Sequence, residues 1–326
     1  MSKIKLCIDF GSNSTVIYRV GKGIVLSEPN KILCENLNGD IIVKEFGQKA
    51  AMQNDNQFII SPVVEGEIVD EKYAILLLRN FIRKVVSDKP KASIEAYFSV
   101  PCGISSESKQ KYYSIAYTAG VSSITLVATP IADLLGCGIG FDDFQNCAIV
   151  DIGSGCTDIA VLDKNGIVDG ITVNIGSVNI DYSLSMQIQS KFGVKISLDS
   201  VIALKEQIGS LLPNGTKNLS FTGTELKTKL QKTIKITSID IIEPLREHYS
   251  VVSDLVTSLI ASQESVIINN IRSQGVIFCG NGSKIECLKE FMQQKLNMPI
   301  FVASGERSVF GLAKIAEKKV SLKNLF

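Results

Sequence analysis

Two short stretches of this chain are close copies of one another. Residues 9–15 read DFGSNST and residues 151–157 read DIGSGCT, both fitting D-[FI]-G-S-x-x-T, 142 positions apart (151 minus 9). Each follows an apolar run (IKLCI; CAIV) and precedes a second one (TVIYRV; TDIAVL). Each then meets a Gly-containing turn (VGKG; DKNG) and a third extended run (GIVLSEP; GIVDGITV). Turn residues between β-rich runs indicate hairpins. A strand–turn–strand–turn–strand order repeated at that separation indicates a chain built from two related halves.

The remainder of each half follows the same plan. In the first, VDEKYAILLLRNFIRKVV has helical spacing, with Tyr73, Leu76, Leu77, Phe81 and Val85 on one face. The strand EAYFSVP follows, then a helix over SSESKQKYYSIAYTAG, the strand SITLVATP and a helix after Pro130. In the second, a long helix at about 248–271 precedes the strand GVIFCG. A helix over SKIECLKEFMQQKL, the strand MPIFVAS and a last helix, SVFGLAKIAEKK, complete it. Two sheets, each of three antiparallel strands extended by βα units, predict an α/β protein with a cleft between its halves. Segments 31–66 and 181–240 interrupt the scheme and are read as small inserted subdomains. The expected organisation is therefore 1–30 plus 67–145 with 31–66 inserted, and 146–180 plus 241–326 with 181–240 inserted.

Composition narrows the chemistry. The net charge is +1, so no overall field draws the 326-residue chain to nucleic acid or anionic lipid. The single histidine, His248, cannot build a His-rich metal site and is expected on a helix surface. The eight cysteines form no CxxC pair, and several sit in strand-like runs where Cys acts as a small hydrophobe, which reads as a reduced, cytoplasmic chain. No window has the apolar length of a membrane span.

A Gly- and Ser-containing hairpin loop after a buried strand exposes backbone N–H groups that bind anions. Two such loops facing across a cleft would hold a polyphosphate from both sides. Asp9 and Asp151, at the strand ends, would then lie beside the phosphates with a cation between, and Mg²⁺ keeping its waters suits that arrangement. Each loop taken alone also reads as an ordinary hairpin; the duplication is what favours a site. GNGSKI at 280–285, ending a strand and opening a helix, is a third candidate loop.

At family level the chain resembles the actin-like ATPases, and most specifically the bacterial MreB-type cytoskeletal proteins. DFGSNST resembles their first phosphate loop, DIGSGCTDIAVL their second, and VIFCGNGSKIECLKEFM their adenosine motif. VEGEIVDEKYAILLLRNFIRKV, VPCGISSESKQ and GKGIVLSEPN resemble segments outside the site. The resemblance implies a duplicated ribonuclease H-like (actin-like) fold of two domains, each with a large and a small subdomain, clamping Mg-ATP. It places Gly11, Ser12, Asn13 and Ser14 at the phosphates in the first loop, and Gly153, Ser154 and Gly155 in the second. Lys205 and Glu206 match the stretch lining base and ribose, although by composition alone they read as a solvated helix face. Gly280, Asn281, Gly282 and Ser283 match the loop on the other side of the adenosine.

The departures from the family pattern concern chemistry. A Glu-Pro that positions or activates the attacking water is here Thr129-Pro130, in LVATPIADLLG. A threonine cannot accept a proton as a carboxylate does, and a positioned general base is worth roughly 10²–10⁴-fold. Thr129 also reads as an N-cap with Pro130 at the first helical position. Asp133, one turn later on the same face, is the alternative catalytic candidate. Asn281 stands where the family has a middle glycine, and Asn tolerates positive φ. Ile202 stands where the family has an acidic ribose contact.

The resemblance implies a homopolymer: an ATP-binding filament protein for cell shape and guidance of wall synthesis, at most a slow ATPase. The alternatives are a filament for plasmid or organelle segregation and a small-molecule kinase of the same fold. The polar SDKPKASIE and the immediate strand at MSKIKLCIDFG show no lipid anchor, so any membrane association would run through membrane-protein partners of the shape machinery.

Overall fold

The structure is a computed structural model; it describes residues 3–317 apart from 53, 55, 90 and 304, together with Leu325. The first half opens on an antiparallel meander of β1 (Lys3–Phe10), β2 (Ser14–Arg19) and β3 (Gly23–Pro29). The chain continues through β4 (Ile32–Leu37), β5 (Asp40–Phe46), β6 (Gln57–Ile60) and a small hairpin, β7 (Val63–Val64) with β8 (Glu67–Ile68). Then come α1 (Glu71–Val85), β9 (Ser93–Val100), α2 (Ser106–Ala119), β10 (Ser123–Ala128) and α3 (Thr129–Gly136). β9 and β10 join β1 in parallel, giving the order β10-β9-β1-β2-β3.

The second half repeats the meander as β11 (Asn146–Ile152), β12 (Thr157–Asp163) and β13 (Gly166–Val173). It continues with α4 (Ser177–Phe192), β14 (Val194–Lys195), α5 (Leu198–Ile208), β15 (Asn218–Glu225) and β16 (Gln231–Thr237). It ends with α6 (Ser238–Ala261), α7 (Ser265–Gln274), β17 (Val276–Cys279), α8 (Leu288–Leu296), β18 (Ile300–Val302) and α9 (Arg307–Ala316). Its main sheet, β13-β12-β11-β17-β18, has the same order and the same mix of antiparallel and parallel neighbours as the first. Two three-stranded sheets, β5-β4-β6 and β14-β15-β16, lie within 31–66 and 181–240. The expected boundaries at 180 and 240 fall inside α4 and α6, whose caps are Gly176 and Thr237.

Local chemistry accounts for the elements. Asp70 caps α1 by accepting from the Tyr73 N–H at 3.1 Å, and Tyr73, Leu77, Phe81 and Val85 are buried at helical spacing, with Leu76 half-buried beside them. Ser105 caps α2, and Gly120, at φ 103°, ends it in the left-handed conformation.

Strand parity positions the site. In β1, Ile4, Leu6, Ile8 and Phe10 join the core under α1 and α2, while Cys7 points the other way into a central core between the halves. In β11, Ala148, Val150 and Ile152 face the second half's helices, while Cys147 and Ile149 face that same central core. Side chains alternate with period two, so Asp9 and Asp151 emerge on the central face at the strand ends. The duplicated aspartates are therefore brought towards each other.

The central core is built on α3 and α9, with Ile131, Leu134, Leu135, Leu312 and Ile315 buried in it. The two helices cross at glycines: a Cβ on Gly311 would stand 1.7 Å from the Ala132 carbonyl oxygen, and one on Gly136 2.0 Å from that of Arg307.

Four sequence expectations need correction. The last helix, assigned with 241–326 to the second half, packs on β1, β2 and β9 of the first, because its apolar face completes the central core; Lys318 and Lys319, expected in it, lie outside the described residues. The single helix at 248–271 is α6 and α7, starting ten residues earlier. The true start is a capping box in which Asp240 accepts from the Thr237 N–H at 2.7 Å, and Pro244 lies buried inside the helix. The helix over SKIECLKEFMQQKL is a 3₁₀ turn at Asn281–Lys284 followed by α8 only from Leu288, because Cys287 is left-handed (φ 63°). Thr129 is the first residue of α3 and not its cap, which is Ala128.

Candidate functional site

The two glycine loops close on the same hydrogen bond. The Gly11 N–H donates to the Ser14 carbonyl at 3.1 Å, and the Gly153 N–H to the Cys156 carbonyl at 3.0 Å. In the first, Asn30 is buried and ties the loop down, its side-chain N–H donating to the Gly11 carbonyl while its oxygen accepts from the Thr15 hydroxyl, each at 2.5 Å. Its backbone N–H donates to the Asn13 carbonyl at 2.8 Å. In the second, the first N–H groups of α4 take that role: Ser177 donates to the Gly153 carbonyl at 3.1 Å and Val178 to that of Ser154 at 3.0 Å.

The loops meet across the cleft. A Cβ on Gly155 would lie 2.4 Å from the Ser12 hydroxyl oxygen, so only glycine allows the approach. The β7–β8 turn covers the contact, with the Gly66 N–H donating to the Ser12 hydroxyl at 2.9 Å and Glu65 accepting from the Asn174 side chain at 2.9 Å. The third loop packs from the other side: Gly280, at φ 80°, stands where a Cβ would be 2.2 Å from the Asp151 carboxylate, and one on Gly282 would strike Ile152. The Tyr249 hydroxyl anchors it by donating to the Gly282 carbonyl at 2.5 Å. Asn281 is exposed and in 3₁₀ conformation; the positive φ falls on Gly280, so the tolerance of Asn for it is not needed. Ser283 is buried and donates to the Cys279 carbonyl within its own loop.

Beneath the loops lies a cluster of carboxyl groups. Asp9 accepts from the Ser308 hydroxyl at 3.0 Å, yet burial and neighbouring negative charge hold its pKa up at about 6. Asp133, 2% exposed, has a side-chain oxygen with no partner, and burial together with the charges of Asp151 and Asp9 raises it well above the carboxylate range. Asp151 is raised by burial and by Asp158 and Asp9. Carboxyls arranged this way cannot all ionise without a counter-cation. Among the described residues no three acidic, His or Cys side chains converge as a direct chelating set.

The Thr129 hydroxyl donates to the Val100 carbonyl at 3.0 Å. Its hydrogen is thus committed to the backbone, leaving only lone pairs on the oxygen. Lys205 is engaged differently from the expectation of a bare nucleoside contact: its ammonium lies 2.6 Å from the buried Asp181, while Glu206 is exposed. His248 is half-buried, tied to the Ser183 hydroxyl at 2.8 Å and lowered in pKa by burial, so it is no free surface group.

Sequence reading passes over several residues that build the site. Asp158 bridges the halves, accepting from the Cys102 N–H at 2.8 Å and the Thr172 hydroxyl at 2.5 Å, while Thr172 accepts from the Gly103 N–H at 2.9 Å. A carboxylate inside the apolar run TDIAVL, opposite Asp151 in the β11–β12 ladder, is its only signal. Asn30, Glu65 and Ser308 carry none.

A sequence model of the MreB/Mbl protein family matches residues 3–324. The chain belongs to the MreB/Mbl family. It is 26% identical over 306 residues to the cell shape-determining protein MreB of Escherichia coli K12, covering 91% of this chain and 88% of that one. Its fold is that of MreB5 of Spiroplasma citri bound to ADP, with TM-score 0.90, 24% identity and 97% of each chain covered. The MamK double helical filament aligns at TM-score 0.82 and 20% identity over 97% of this chain and 99% of that one. The duplicated actin-like α/β architecture expected from the sequence is thereby established, and its MreB-type assignment with it. No helix among the described residues is long and apolar enough to cross a membrane.

Proposed function

We propose that this MreB/Mbl protein binds Mg-ATP between its two glycine loops and assembles with copies of itself into cytoskeletal filaments that serve cell shape. The observation that carries the reading is the pair of identically bonded loops, in contact over a carboxylate cluster that calls for a cation. MreB5 bound to ADP or AMPPNP and the MamK filament share the fold, and relatives named for cell shape share the sequence. Asp9 and Asp151 would hold Mg²⁺ through its waters, and the ion would neutralise phosphate charge. Ser12, Asn13, Ser154 and Gly155 border the phosphate space, and Gly280 closes the nucleoside side. With Thr129 in place of a carboxylate, the attacking water is oriented but not deprotonated, so hydrolysis is slow. The polymer works in the cytoplasm and reaches the membrane through protein partners.

Sedimentation with Mg-ATP, Mg-ADP or no nucleotide, with phosphate release measured on the same samples, tests this reading. ATP-dependent pelleting with slow release supports it; no pelleting under any condition refutes the polymer.

A further inference from the structure

Cys137 and Cys279 occupy an unusual junction. Cys137 caps the C-terminus of α3, an element of the first half's chain; Cys279 ends β17 in the second half, paired with Asp151 and followed by Gly280. Their sulfurs are 3.9 Å apart, with Cys137 half-buried and Cys279 fully buried. We propose that these two thiols are a peroxide-sensitive pair whose disulfide joins the two halves of the molecule immediately behind the third loop.

Cys137 differs from the other thiols, while its partner Cys279 is raised by the contact with Cys137 and by burial. Burial raises Cys7 and Cys147 to about 12, and pushes Cys102 and Cys156 up as well. Cys137 moves the opposite way, lowered by its thiol–thiol contact with Cys279 at 3.9 Å and by the nearby Arg307 and Lys314. A thiolate beside a second thiol is the arrangement of a redox-sensing cysteine with its resolving partner.

Hydrogen peroxide is the oxidant. The Cys137 thiolate attacks one peroxide oxygen, the O–O bond breaks, and the departing hydroxide takes a proton to become water, leaving Cys137 as a sulfenic acid. The Cys279 sulfur then attacks the Cys137 sulfur, the S–O bond breaks, and the Cys279 proton leaves with the hydroxyl as a second water. Two thiols and one peroxide give one disulfide and two waters. The sulfurs must close by about 1.9 Å to reach bonding distance, which calls for rotation of both side chains with a small backbone adjustment at Cys137. The bond would tie the end of α3 in the first half to the end of β17 in the second and so slow opening of the cleft.

The test is peroxide treatment of the purified full chain, with disulfides mapped by mass spectrometry of non-reduced peptides. A Cys137–Cys279 peptide that accumulates with peroxide and disappears with dithiothreitol is expected. In Cys279→Ser, dimedone should trap sulfenic acid at Cys137. A Cys102–Cys156 peptide in its place, or oxidation that spares Cys137, would overturn the proposal; the wild-type map reads this even if a variant fails to fold. The effect on exchange rests on the nucleotide reading above: oxidised protein should release a fluorescent ATP analogue at least tenfold more slowly. The disulfide map needs no nucleotide, so failure of nucleotide binding and failure of the thiol pair are distinguishable, and an unchanged release rate with the disulfide formed refutes the restraint.

Discussion

Replacing Gly311 by Ala sets two effects of opposite sign against each other. Within a helix, Gly to Ala should stabilise by about 1 kcal/mol, since Gly loses the most backbone entropy on folding. At this position, however, the new Cβ would lie 1.7 Å from the Ala132 carbonyl oxygen and 2.9 Å from the Gly136 nitrogen. Both are backbone atoms of α3, so no rotamer change relieves the clash, and the helices must separate by roughly 1.5 Å to reach ordinary contact. Overpacking of this kind costs about 1–3 kcal/mol or more, and here it also loosens Ile131, Leu135, Leu312 and Ile315 in the shared central core. With the gain of about 1 kcal/mol set against it, the net expectation is a loss of up to about 2 kcal/mol, read as a lower urea midpoint with unchanged slope. Gly120→Ala is the control: no atom lies within 4 Å, so only its φ of 103° opposes the change, at a cost of about 1 kcal/mol. A Gly311→Ala protein unfolding at or above the wild-type urea concentration would refute the close-crossing argument.

Thr129→Glu puts a carboxylate where the proposed function has the threonine orient the water, and phosphate release should rise by about 10²–10⁴-fold; an unchanged rate in a phosphate-release assay would show that proton acceptance is not what limits hydrolysis. Lys205→Met strands the buried Asp181 and should cost about 3–5 kcal/mol in urea unfolding. The double change with Asp181→Leu should recover most of it, and no recovery would mean that Lys205 acts by packing alone. The folded-state pKa of Asp9, about 6, exceeds the ordinary carboxylate value, so the folded state binds more protons between the two. Its contribution is therefore full below about pH 4 and is lost as pH rises to about 6. Asp133 and Asp151 act in the same direction. Nucleotide-free protein should show that loss in urea midpoints across the window, Asp133→Asn should flatten it, and an equal slope in the variant would contradict the cluster.

The duplicated D-[FI]-G-S motif made the two sheets and their loops legible, because alternating apolar runs and turn residues are local signals. The same motif put Asp9 and Asp151 at the two strand ends; the face they share follows from the burial of their strand neighbours. What escaped notice depends on long-range contact. The side of the molecule on which α9 packs follows from a groove made by both halves, and its own sequence is amphipathic in either setting. Asn30, Glu65 and Ser308 act through single hydrogen bonds to loops far along the chain, and polar residues in turns look alike whether or not they have such a partner. The start of α6 lay ten residues before the expected 248, at a capping box of Thr237 and Asp240.

The second loop and α4 are joined backbone to backbone, through the Ser177 and Val178 amides. Anything that shifts the Gly153 and Ser154 carbonyls therefore turns a rigid rod of 16 residues, about 24 Å long. A tilt of about 5° at the loop end moves the far end by about 2 Å. Tyr182 and Met186, both exposed, ride on that rod. The second glycine loop is thus mechanically geared to the outer surface of the molecule.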